Sequence, residues 1–587
     1  DHTVIVDDGL VRVVGPSGFF GNVLFDTQTI DGTGKYLAPG LADMHVHLTA
    51  PGDARLFLAN GVTLVRNMWG QPWHLGLQGR VRRRELPGPH IVTTSPIVDG
   101  VNAEGRTVWP GSQPLTDPAK ARELVRSYAE RGYQQLKVYH QLTADSNRAL
   151  AEAAIELGLR VTGHCPNGVT FEQAIANGQT CFEHLVGINT GHLKASVPPL
   201  PATPLTLHQQ LADQLDLDAI ARLAGHMAEQ QVWNCLTTTV WVQPAQDEAI
   251  AMADGNLRFM APSVIANWRR RTGMDAPPEQ AERWAALRTV MPRSVEARFR
   301  CAKLLLDEGA PLLLGTDTPN PFVVPGFSIH QELANLVAAG FSPYEALRCG
   351  TTEAARFLGE SAKWGAIAAG QRADLVLLAR NPLQDVSAMA RPEAVFVNGF
   401  YLDRAQLDDL LEEHLRLARA PLEAGPLESQ PPDARIVRQG ALANIWAGQE
   451  NGRIAFRCCE FEHGGTLVDE ARTLGPEGRA TRRLWLGADL TVERSRDEYT
   501  SLAGEQTYEL RWAEDSATYE LVFTDADGHQ ERRSFGTQRL PPTWGLGLIA
   551  LSELITRSTQ PASIEALSVA FQASSPDDFG PVTMTIT

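Results

Sequence analysis

Two histidines two positions apart stand in an apolar segment near the start of the chain. Residues 40–48 read GLADMHVHL, in which one valine separates His45 from His47. On a β-strand both imidazoles would point to one face and their apolar neighbours to the other. Burying two polar rings without partners is costly, and one metal ion would serve both. A pair of surface or hydrogen-bonded core histidines fits the same pattern, so the motif alone leaves both interpretations open.

Four more residues that can bind a metal or carry a charge follow other apolar segments. They are Lys137 in QQLKVY, His164 in VTGHCP, His184 in FEHL and Asp317 in LLGTDTP. Taken singly, each has a structural alternative: a satisfied core histidine, a lysine with its ammonium in water, or an aspartate that caps the next turn. Their common position at the ends of separate apolar segments favours one shared site.

The segments that carry these residues alternate with helix-period segments between residue 41 and about residue 360. Eight of them are predicted strands: 41–48, 61–68, 90–97, 133–140, 159–165, 180–185, 231–238 and 311–317. Helical segments lie between them, such as 117–132, in which Pro118 stands early, and 145–158, which ends in glycine.

Eight strands separated by helices predict an α/β fold, a (β/α)8 TIM barrel over residues 41–364. Catalytic residues of such barrels lie at the carboxyl ends of the strands, which is where the candidate residues stand. A helical insertion at 242–306, with Trp241, Trp268 and Trp284 in or beside it, is expected to form a lid or an extra helical layer near the barrel mouth.

Short alternating strands flank the barrel on both sides. Segments 1–40 and 365–405 are predicted to pair into one small β-sandwich built from both flanks. A helix and a linker rich in Pro and Glu are predicted at 406–433. Residues 434–587 predict an antiparallel β domain, sandwich or barrel, with a turn at Asp525–Gly528 and no catalytic motif, so its role is left open.

Composition narrows the class of partner. The chain has 587 residues, a net charge of −17 and 43% hydrophobic residues, which predicts a folded protein of several domains. An acidic chain is not expected to bind nucleic acid or an anionic membrane surface, and no apolar run reaches the ~20 residues that span a bilayer.

The seven cysteines are scattered without a CxxC pair, which predicts reduced thiols in a cytoplasmic protein. No basic-then-apolar leader stands at the start. A small-molecule substrate is expected, and assembly into a homo-oligomer is left open.

The motifs together resemble the amidohydrolase superfamily. HVH follows LAPGLAD on the first predicted strand, LKVY lies on the fourth, GHC on the fifth, EH on the sixth and GTD on the eighth. The resemblance covers about residues 1–405, since DGTGKYLAPG and GAIAAGQRADLVLL are similar to the segments that flank the superfamily's barrel. GLRVTGHCPNGVTFEQAIANGQTCFEHL and GFSIHQELANLVAAGFSPYEALRCGTTEAARFLG are similar to the imidazolonepropionase-related and prolidase-like branch.

This resemblance implies a centre of two divalent metal ions, usually zinc. The implied ligands are His45, His47 and Asp317 for the more buried ion, His164 and His184 for the second, and Lys137 bridging both as a carbamate formed with CO₂. A buried ammonium beside two dications is strongly disfavoured, whereas a carbamate is an anion that can span two metals. Imidazolonepropionase-type enzymes lack this lysine and use one metal, so Lys137 favours two ions.

The activity that the resemblance implies is hydrolysis of an amide-type C–N bond in an N-acyl amino acid, a dipeptide or a related amide. A hydroxide shared by the metals would attack the carbonyl carbon, with Asp317 acting first as general base and then as general acid toward the leaving nitrogen. A cyclic-amide hydrolase, a deaminase, a lactonase or a phosphoester hydrolase on the same centre remain alternatives. Deaminases of the superfamily commonly use one metal and lack the lysine. A non-catalytic binding protein is disfavoured because the ligand set is complete.

Three more residues are candidates for contact with the substrate. Tyr139 stands on the same strand face as Lys137 and is a candidate donor to a substrate carbonyl. Arg66 ends the second predicted strand and is a candidate partner of a substrate carboxylate, and His330 lies beyond the eighth strand, near the bound ligand. Their structural alternatives are packing at the rim, an internal ion pair, and helix capping or support of a ligand. Four other histidines are interpreted as surface or structural: His140, His192, His208 and His226.

Overall fold

The computed structural model describes most of the chain. The residues outside the description are 1, 18–27, 110, 194–203, 419–433, 447–448, 462–465, 474–478, 487–491, 502–503, 514–517, 525–529, 537–567, 572–581 and 586–587. For the strands after residue 433, the backbone alone is described. The predicted linker from residue 419 onward and the predicted turn at Asp525–Gly528 therefore lie outside the described residues. Within the described part of the chain, no helix is both long and apolar enough to cross a bilayer.

Eight parallel strands form the central sheet, and each pairs with the next along the chain. Three short strands precede them: β1 (His2–Asp7), β2 (Leu10–Pro16) and β3 (Tyr36–Pro39). The central strands follow, with the two-residue β7 pairing beside β6: β4 (Leu41–Val46), β5 (Val62–Asn67), β6 (His90–Asp99), β7 (Gln113–Pro114), β8 (Gln135–Val138), β9 (Arg160–Gly163), β10 (Gln179–Glu183), β11 (Trp233–Cys235) and β12 (Leu312–Leu313).

Hydrogen bonds between the first and last strands close the sheet into a barrel. The Met44 amide donates to the Leu314 carbonyl at 2.9 Å, and the Asp317 amide donates to the His45 carbonyl at 2.7 Å. An isolated parallel bridge joins Val46 to Thr318. Every residue of β4 and β5 is buried, as expected for parallel strands covered on both faces. The predicted TIM barrel is confirmed.

Helices connect the barrel strands and continue beyond them. Their bounds are α1 (Asp53–Ala59), α2 (Pro72–Arg82), α3 (Ala121–Glu130), α4 (Ala144–Glu156), α5 (Phe171–Ala176), α6 (Ile188–Gly191), α7 (Pro204–Asp213), α8 (Leu217–Gln230), α9 (Thr239–Val242), α10 (Glu248–Met252), α11 (Pro262–Arg271), α12 (Ala281–Asp307), α13 (Ser328–Ala338), α14 (Pro343–Cys349), α15 (Thr352–Phe357) and α16 (Arg404–Ala418). Short 3₁₀ turns lie at Pro118–Lys120, Gln243–Ala245, Gly255–Phe259, Pro278–Gln280 and Val386–Ala390.

Helices α9 to α12 fill the long connection between β11 and β12. Helix α11 is fixed to the loop after β12 by Trp268, which is 1% exposed. Its indole Nε1 donates to the Pro319 carbonyl at 3.2 Å, and its ring packs 5.7 Å from the ring of Phe322. The insertion therefore contacts the loop that carries Asp317.

Strands from both ends of the barrel segment meet in one four-stranded antiparallel sheet. Strand β3 pairs with β13 (Leu375–Leu378), which pairs with β14 (Ala394–Val397), and β14 pairs with β15 (Phe400–Asp403). Strands β1 and β2 form a separate hairpin, which a bridge from Leu10 to Arg372 joins to the segment before β13.

The backbone after residue 433 forms a ten-stranded antiparallel sheet. Its strands are β16 (Ala434–Trp446), β17 (Gln449–Phe461), β18 (Thr466–Thr473), β19 (Arg479–Leu486), β20 (Val492–Ser501), β21 (Gly504–Ala513), β22 (Thr518–Thr524), β23 (Gln530–Gly536), β24 (Ser568–Phe571) and β25 (Val582–Thr585). Strands β16 to β23 pair in chain order. Strand β25 pairs with the other edge of β16, and β24 pairs with β25.

Candidate metal centre

The carboxyl end of the barrel gathers imidazoles around one carboxylate. Asp317 follows β12, and its Oδ1 lies 3.0 Å from His47 Nε2 and 3.3 Å from His45 Nε2. His184, just after β10, places Nδ1 3.7 Å from Asp317 Oδ2. The structure thus brings together side chains from three strands that are far apart in sequence.

The remaining two candidates lie on the neighbouring strands. His164 follows β9, and its ring centroid is 4.9 Å from that of His184, which in turn is 4.5 Å from that of His45. Lys137 lies in β8 and is 1% exposed. Burial lowers the pKa of its ammonium, while the charges of Glu183 and Asp317 act in the opposite direction.

The backbone at two of these positions adopts the left-handed conformation, which non-glycine residues rarely take. His184 has φ of 65° and Asp317 has φ of 58°. Such conformations cost free energy and occur most often at functional sites.

Two glycines make room for the site. A Cβ at Gly315 would lie 3.0 Å from the His45 Cβ and 2.5 Å from the Cys235 Sγ. Gly163 has φ of 126°, and a Cβ there would lie 2.2 Å from the Val138 carbonyl oxygen. The GTD and GHC motifs therefore need glycine before the functional residue because neighbouring strands approach there too closely for a side chain.

Each of three site histidines has a hydrogen-bond partner at Nδ1. His45 Nδ1 lies 2.8 Å from Glu183 Oε2, His164 Nδ1 lies 2.9 Å from His140 Nε2, and His184 Nδ1 lies 2.6 Å from Thr237 Oγ1. A bond at one ring nitrogen fixes both the ring orientation and the tautomer, and so leaves the other nitrogen available as a ligand.

These three partners were not predicted from the sequence. His140 was interpreted as surface or structural, yet burial lowers the pKa of its imidazole to about 4 and its ring lies against His164. Glu183 had a visible signal, since it directly precedes His184 in the EH motif. Thr237 had no signal beyond its position after β11.

Beneath His45, a buried ion pair links Glu183 to Arg66. The Arg66 Nη2 donates to Glu183 Oε1 at 3.0 Å and to Oε2 at 3.1 Å, and both side chains are fully buried. The Thr162 hydroxyl donates to Oε1 at 2.9 Å. Burial acts to raise the pKa of Glu183. The positive charges of Arg66 and Lys137 outweigh burial and hold this pKa below its usual value. Glu183 is therefore an ionised acceptor for His45.

The three candidates for substrate contact lie in different surroundings. Arg66 does not reach the rim, because its guanidinium is occupied by Glu183 and by the Met44 carbonyl inside the barrel. His330 Nε2 lies 3.1 Å from the Asn60 carbonyl oxygen, after helix α1. Tyr139 lies at the site, with its ring 4.2 Å from that of His164 and its hydroxyl accepting from Trp109 Nε1 at 2.7 Å.

The protonation states suit metal binding. Burial lowers the pKa of His45 and of His164 well below the usual value, and it lowers the pKa of His184 to about 3. Burial acts to raise the pKa of Asp317, but His184 and His47 outweigh it, so this pKa lies below its usual value. Neutral imidazoles around an ionised carboxylate are the ligand forms that divalent metals require.

Two buried atoms at the centre have no hydrogen-bond partner among the described residues. They are His45 Nε2 and Asp317 Oδ1, which lie 3.3 Å apart; His47 Nε2 lies 3.0 Å from the same Asp317 oxygen but not in the geometry of a hydrogen bond. Leaving such atoms unpaired costs ~1–3 kcal/mol each, and a metal ion would satisfy both. The ligand atoms of His45, His184 and Asp317 all lie within 4.8 Å of one another, and a mixed set of imidazole and carboxylate suits a divalent metal such as zinc.

Comparison with known proteins identifies the family. The Amidohydrolase family model matches residues 36–400. The solved structure of bottromycin amidohydrolase is 31% identical, over 71% of this chain and 86% of that chain, with a TM-score of 0.56. A Xaa-Pro dipeptidase solved with methionine in its active site is 19% identical, over 68% of this chain and 94% of that chain, with a TM-score of 0.49. A dihydroorotase from Trichlorobacter lovleyi is 49% identical over 49 residues, which are 8% of this chain and 11% of that protein.

The family match and the described barrel define the chain as a hydrolytic enzyme whose candidate metal ligands lie at the carboxyl ends of the strands. The chain belongs to the Amidohydrolase family, since the family model spans most of it and the amidohydrolase above covers more than two thirds of it. The superfamily resemblance predicted from the sequence motifs is confirmed.

Proposed function

We propose that the enzyme hydrolyses an amide-type C–N bond of an N-acyl amino acid, a dipeptide or a related amide at a centre of two divalent metal ions. The observation that carries this proposal is the pair of unpaired buried atoms, His45 Nε2 and Asp317 Oδ1, facing each other inside a ring of imidazoles. The name of bottromycin amidohydrolase, the relative at 31% identity, supports an amide as the bond that is cleaved.

The donor set divides between two neighbouring positions. We assign His45, His47 and Asp317 to one ion, because Asp317 Oδ1 lies 3.3 Å from His45 Nε2 and 3.0 Å from His47 Nε2. We assign His164 and His184 to the second ion, because these rings are adjacent on the next two strands. Zinc is the proposed metal for both, since it favours nitrogen and carboxylate ligands.

Lys137 would bridge the two positions as a carbamate. The side chain is buried, and the charge of its ammonium would act on His45 of one group and on His164 of the other. An ammonium there would oppose bound dications. Reaction of the neutral amine with CO₂ forms an N–C bond, releases one proton and leaves an anion with two oxygen ligands. Gly163 permits this arrangement, because a Cβ there would lie 3.1 Å from the Lys137 Cδ.

When bound, divalent metal ions lower the pKa of a water molecule and polarise a carbonyl group, which is the chemistry that amide hydrolysis needs. Asp317 is the base and then the acid of this scheme. Its ionised carboxylate accepts the proton of the attacking water and returns it to the leaving nitrogen as the C–N bond breaks. The left-handed backbone at Asp317 holds the carboxylate over the centre for both steps.

Tyr139 is the proposed donor to the substrate. Burial raises the pKa of its phenol above the usual value, so the hydroxyl keeps its proton. Because the oxygen accepts from Trp109 Nε1, its own hydrogen is free to point to a substrate carbonyl. This bond would strengthen as negative charge develops on the carbonyl oxygen.

The direct test is a substrate panel with the purified, zinc-loaded enzyme. N-acyl amino acids, dipeptides, lactams and lactones are compared, each with the wild-type enzyme and with the Asp317→Asn variant. The proposal predicts turnover of linear amides that the variant lacks. Turnover confined to lactams would indicate a cyclic-amide hydrolase, and turnover confined to lactones would indicate an esterase-type activity.

A further inference from the structure

Helix α11 of the insertion ends in three consecutive arginines whose surroundings differ. Arg269 forms two ion pairs, to Asp275 at 2.6 Å and to Glu248 at 3.0 Å. Arg270 is exposed, and its Nη2 donates to Asn267 Oδ1 of its own helix at 3.4 Å. Arg271 instead points to the loop that follows β12.

The loop after β12 connects Arg271 to the metal centre through one residue. Arg271 Nη2 lies 3.4 Å from Asn320 Oδ1. The Asn320 side-chain nitrogen donates to the Asp317 carbonyl oxygen at 2.8 Å, and its backbone amide contacts the same oxygen at 3.2 Å. Trp268, one turn earlier on the helix, fixes this approach by its bond to the Pro319 carbonyl.

The Arg271 guanidinium is close enough to Asp317 for the charge of that carboxylate to act on it. The Arg271 side chain is solvent-exposed, yet the protein around it lowers the pKa of its guanidinium, with the charge of Asp317 acting in the opposite direction. Among the described residues, no carboxylate lies within ion-pair distance of Arg271. An exposed guanidinium that lies beside the Asp317 loop and has no carboxylate partner among the described residues can bind an anion.

We propose that Arg271 binds the carboxylate of the substrate, so that the insertion selects acyl amino acids and peptides with a free carboxyl terminus. This inference rests on the proposed function, since it names the substrate class of the same site. A planar guanidinium matches a carboxylate through two parallel hydrogen bonds.

The test compares matched substrates and matched variants. Each N-acetyl amino acid or dipeptide is assayed as the free acid and as the terminal carboxamide, with wild-type, Arg271→Met and Arg270→Met enzymes. We expect Arg271→Met to lose about 10- to 100-fold in kcat/KM for the acids and little for the amides, because one charge-assisted hydrogen-bond pair is removed. Arg270→Met should behave as the wild-type enzyme toward both series.

Failure of this inference and failure of the proposed function give different results. Equal losses for acids and amides in Arg271→Met, or no loss in either, would overturn the inference while amide hydrolysis stands. Compounds that are not hydrolysed are tested for binding by calorimetry with the same three proteins. Selective binding of acids that Arg271→Met lacks would support the inference even if no amide is cleaved. If the wild-type enzyme neither cleaves nor binds any free acid, the inference is wrong.

Discussion

Glu183 Oε2 lies 2.8 Å from His45 Nδ1, while the other face of the same carboxylate is held by Arg66. This relationship fixes the His45 ring so that Nε2 faces Asp317. The carboxylate is therefore a positioning group for the centre, and the arginine keeps it ionised. A hydrogen-bonded carboxylate behind a histidine ligand also raises the basicity of that ligand.

The first prediction concerns Glu183→Gln. The amide cannot accept from His45 as a carboxylate does, so we expect metal affinity to fall ~10- to 100-fold. Zinc affinity is measured by competition with a chelator of known affinity. Glu360→Gln, which removes a carboxylate near Trp364 outside the barrel, is the control and should leave zinc affinity unchanged.

Loss of Glu183 also leaves Arg66 buried without its partner, which costs ~3–5 kcal/mol of stability. The double variant Arg66→Met, Glu183→Gln removes that charge and should recover part of the thermal stability without recovering zinc affinity. Recovery of both properties together would show that Glu183 acts only through the stability of the barrel.

The second prediction concerns Lys137→Ala. Removing the proposed bridge should reduce the metal content from two ions per chain to one or fewer, with loss of activity. Metal content is measured by elemental analysis after gel filtration, with Lys363→Ala, an exposed lysine, as control. Short carboxylic acids added to the variant should restore part of the activity. A variant that keeps two ions per chain would rule out the bridge.

The third prediction concerns Asp317→Asn. An amide oxygen can still approach a metal but cannot accept and return a proton, so kcat should fall at least ~10³-fold while some metal stays bound. Turnover and metal content are measured on the same preparation, with the exposed Asp213→Asn as control. Near-normal turnover in Asp317→Asn would show that another group carries the proton.

The fourth prediction concerns acid stability at the sheet that flanks the barrel. Asp374 Oδ1 lies 3.1 Å from His90 Nε2, and its Oδ2 lies 2.9 Å from Arg372 Nε. Burial acts to raise the pKa of Asp374, but His90 and Arg372 together hold it below its usual value. A carboxyl group whose pKa is lower in the folded than in the unfolded state stabilises the fold at any pH above its pKa in the unfolded state, about 3.9. This stabilisation is lost as the pH falls through the pKa of the folded state.

Asp374→Asn should therefore lower the free energy of unfolding near neutral pH by ~2 kcal/mol, and the melting temperature should fall with it. Below about pH 4, the difference in unfolding free energy between the variant and the wild type should become smaller. Scanning calorimetry between neutral pH and pH 3 measures both effects. Asp7→Asn, which removes an exposed ion pair with Arg12, should change little at any pH. A difference that stays constant into acid would contradict the assignment of the ionised form.

The barrel and the candidate ligands were predictable because both leave periodic signals. Each strand is a short apolar run closed by turn residues, and His45 and His47 share a face by strand alternation alone. The strand ends were less predictable. The segment predicted as a strand at 311–317 is a strand only at Leu312–Leu313. It leaves the ladder because Thr316 turns to donate from its amide and its hydroxyl to Asp43, at 2.9 and 2.7 Å.

The hydrogen-bond partners of the candidate histidine ligands could not be predicted from the sequence. They depend on which nitrogen of each imidazole ring faces which neighbouring residue. Glu183, His140 and Thr237 each lie on a different element from the histidine that they contact. For Arg66 the sequence predicted an internal ion pair as the alternative to a substrate contact, and the structure shows that pair. The sequence did not identify Glu183 as the partner, because a buried charge pairs with a residue that only the fold brings near. The same holds for Arg271, whose approach to the site depends on how Trp268 packs.

The measurement that tests the central claim most directly is the metal stoichiometry of active, desalted enzyme by elemental analysis, before and after dialysis against a chelator. The account predicts two zinc-type ions per chain, loss of activity and of thermal stability when they are removed, and recovery of both when zinc is returned. Full activity in enzyme that holds no stoichiometric divalent metal would contradict it.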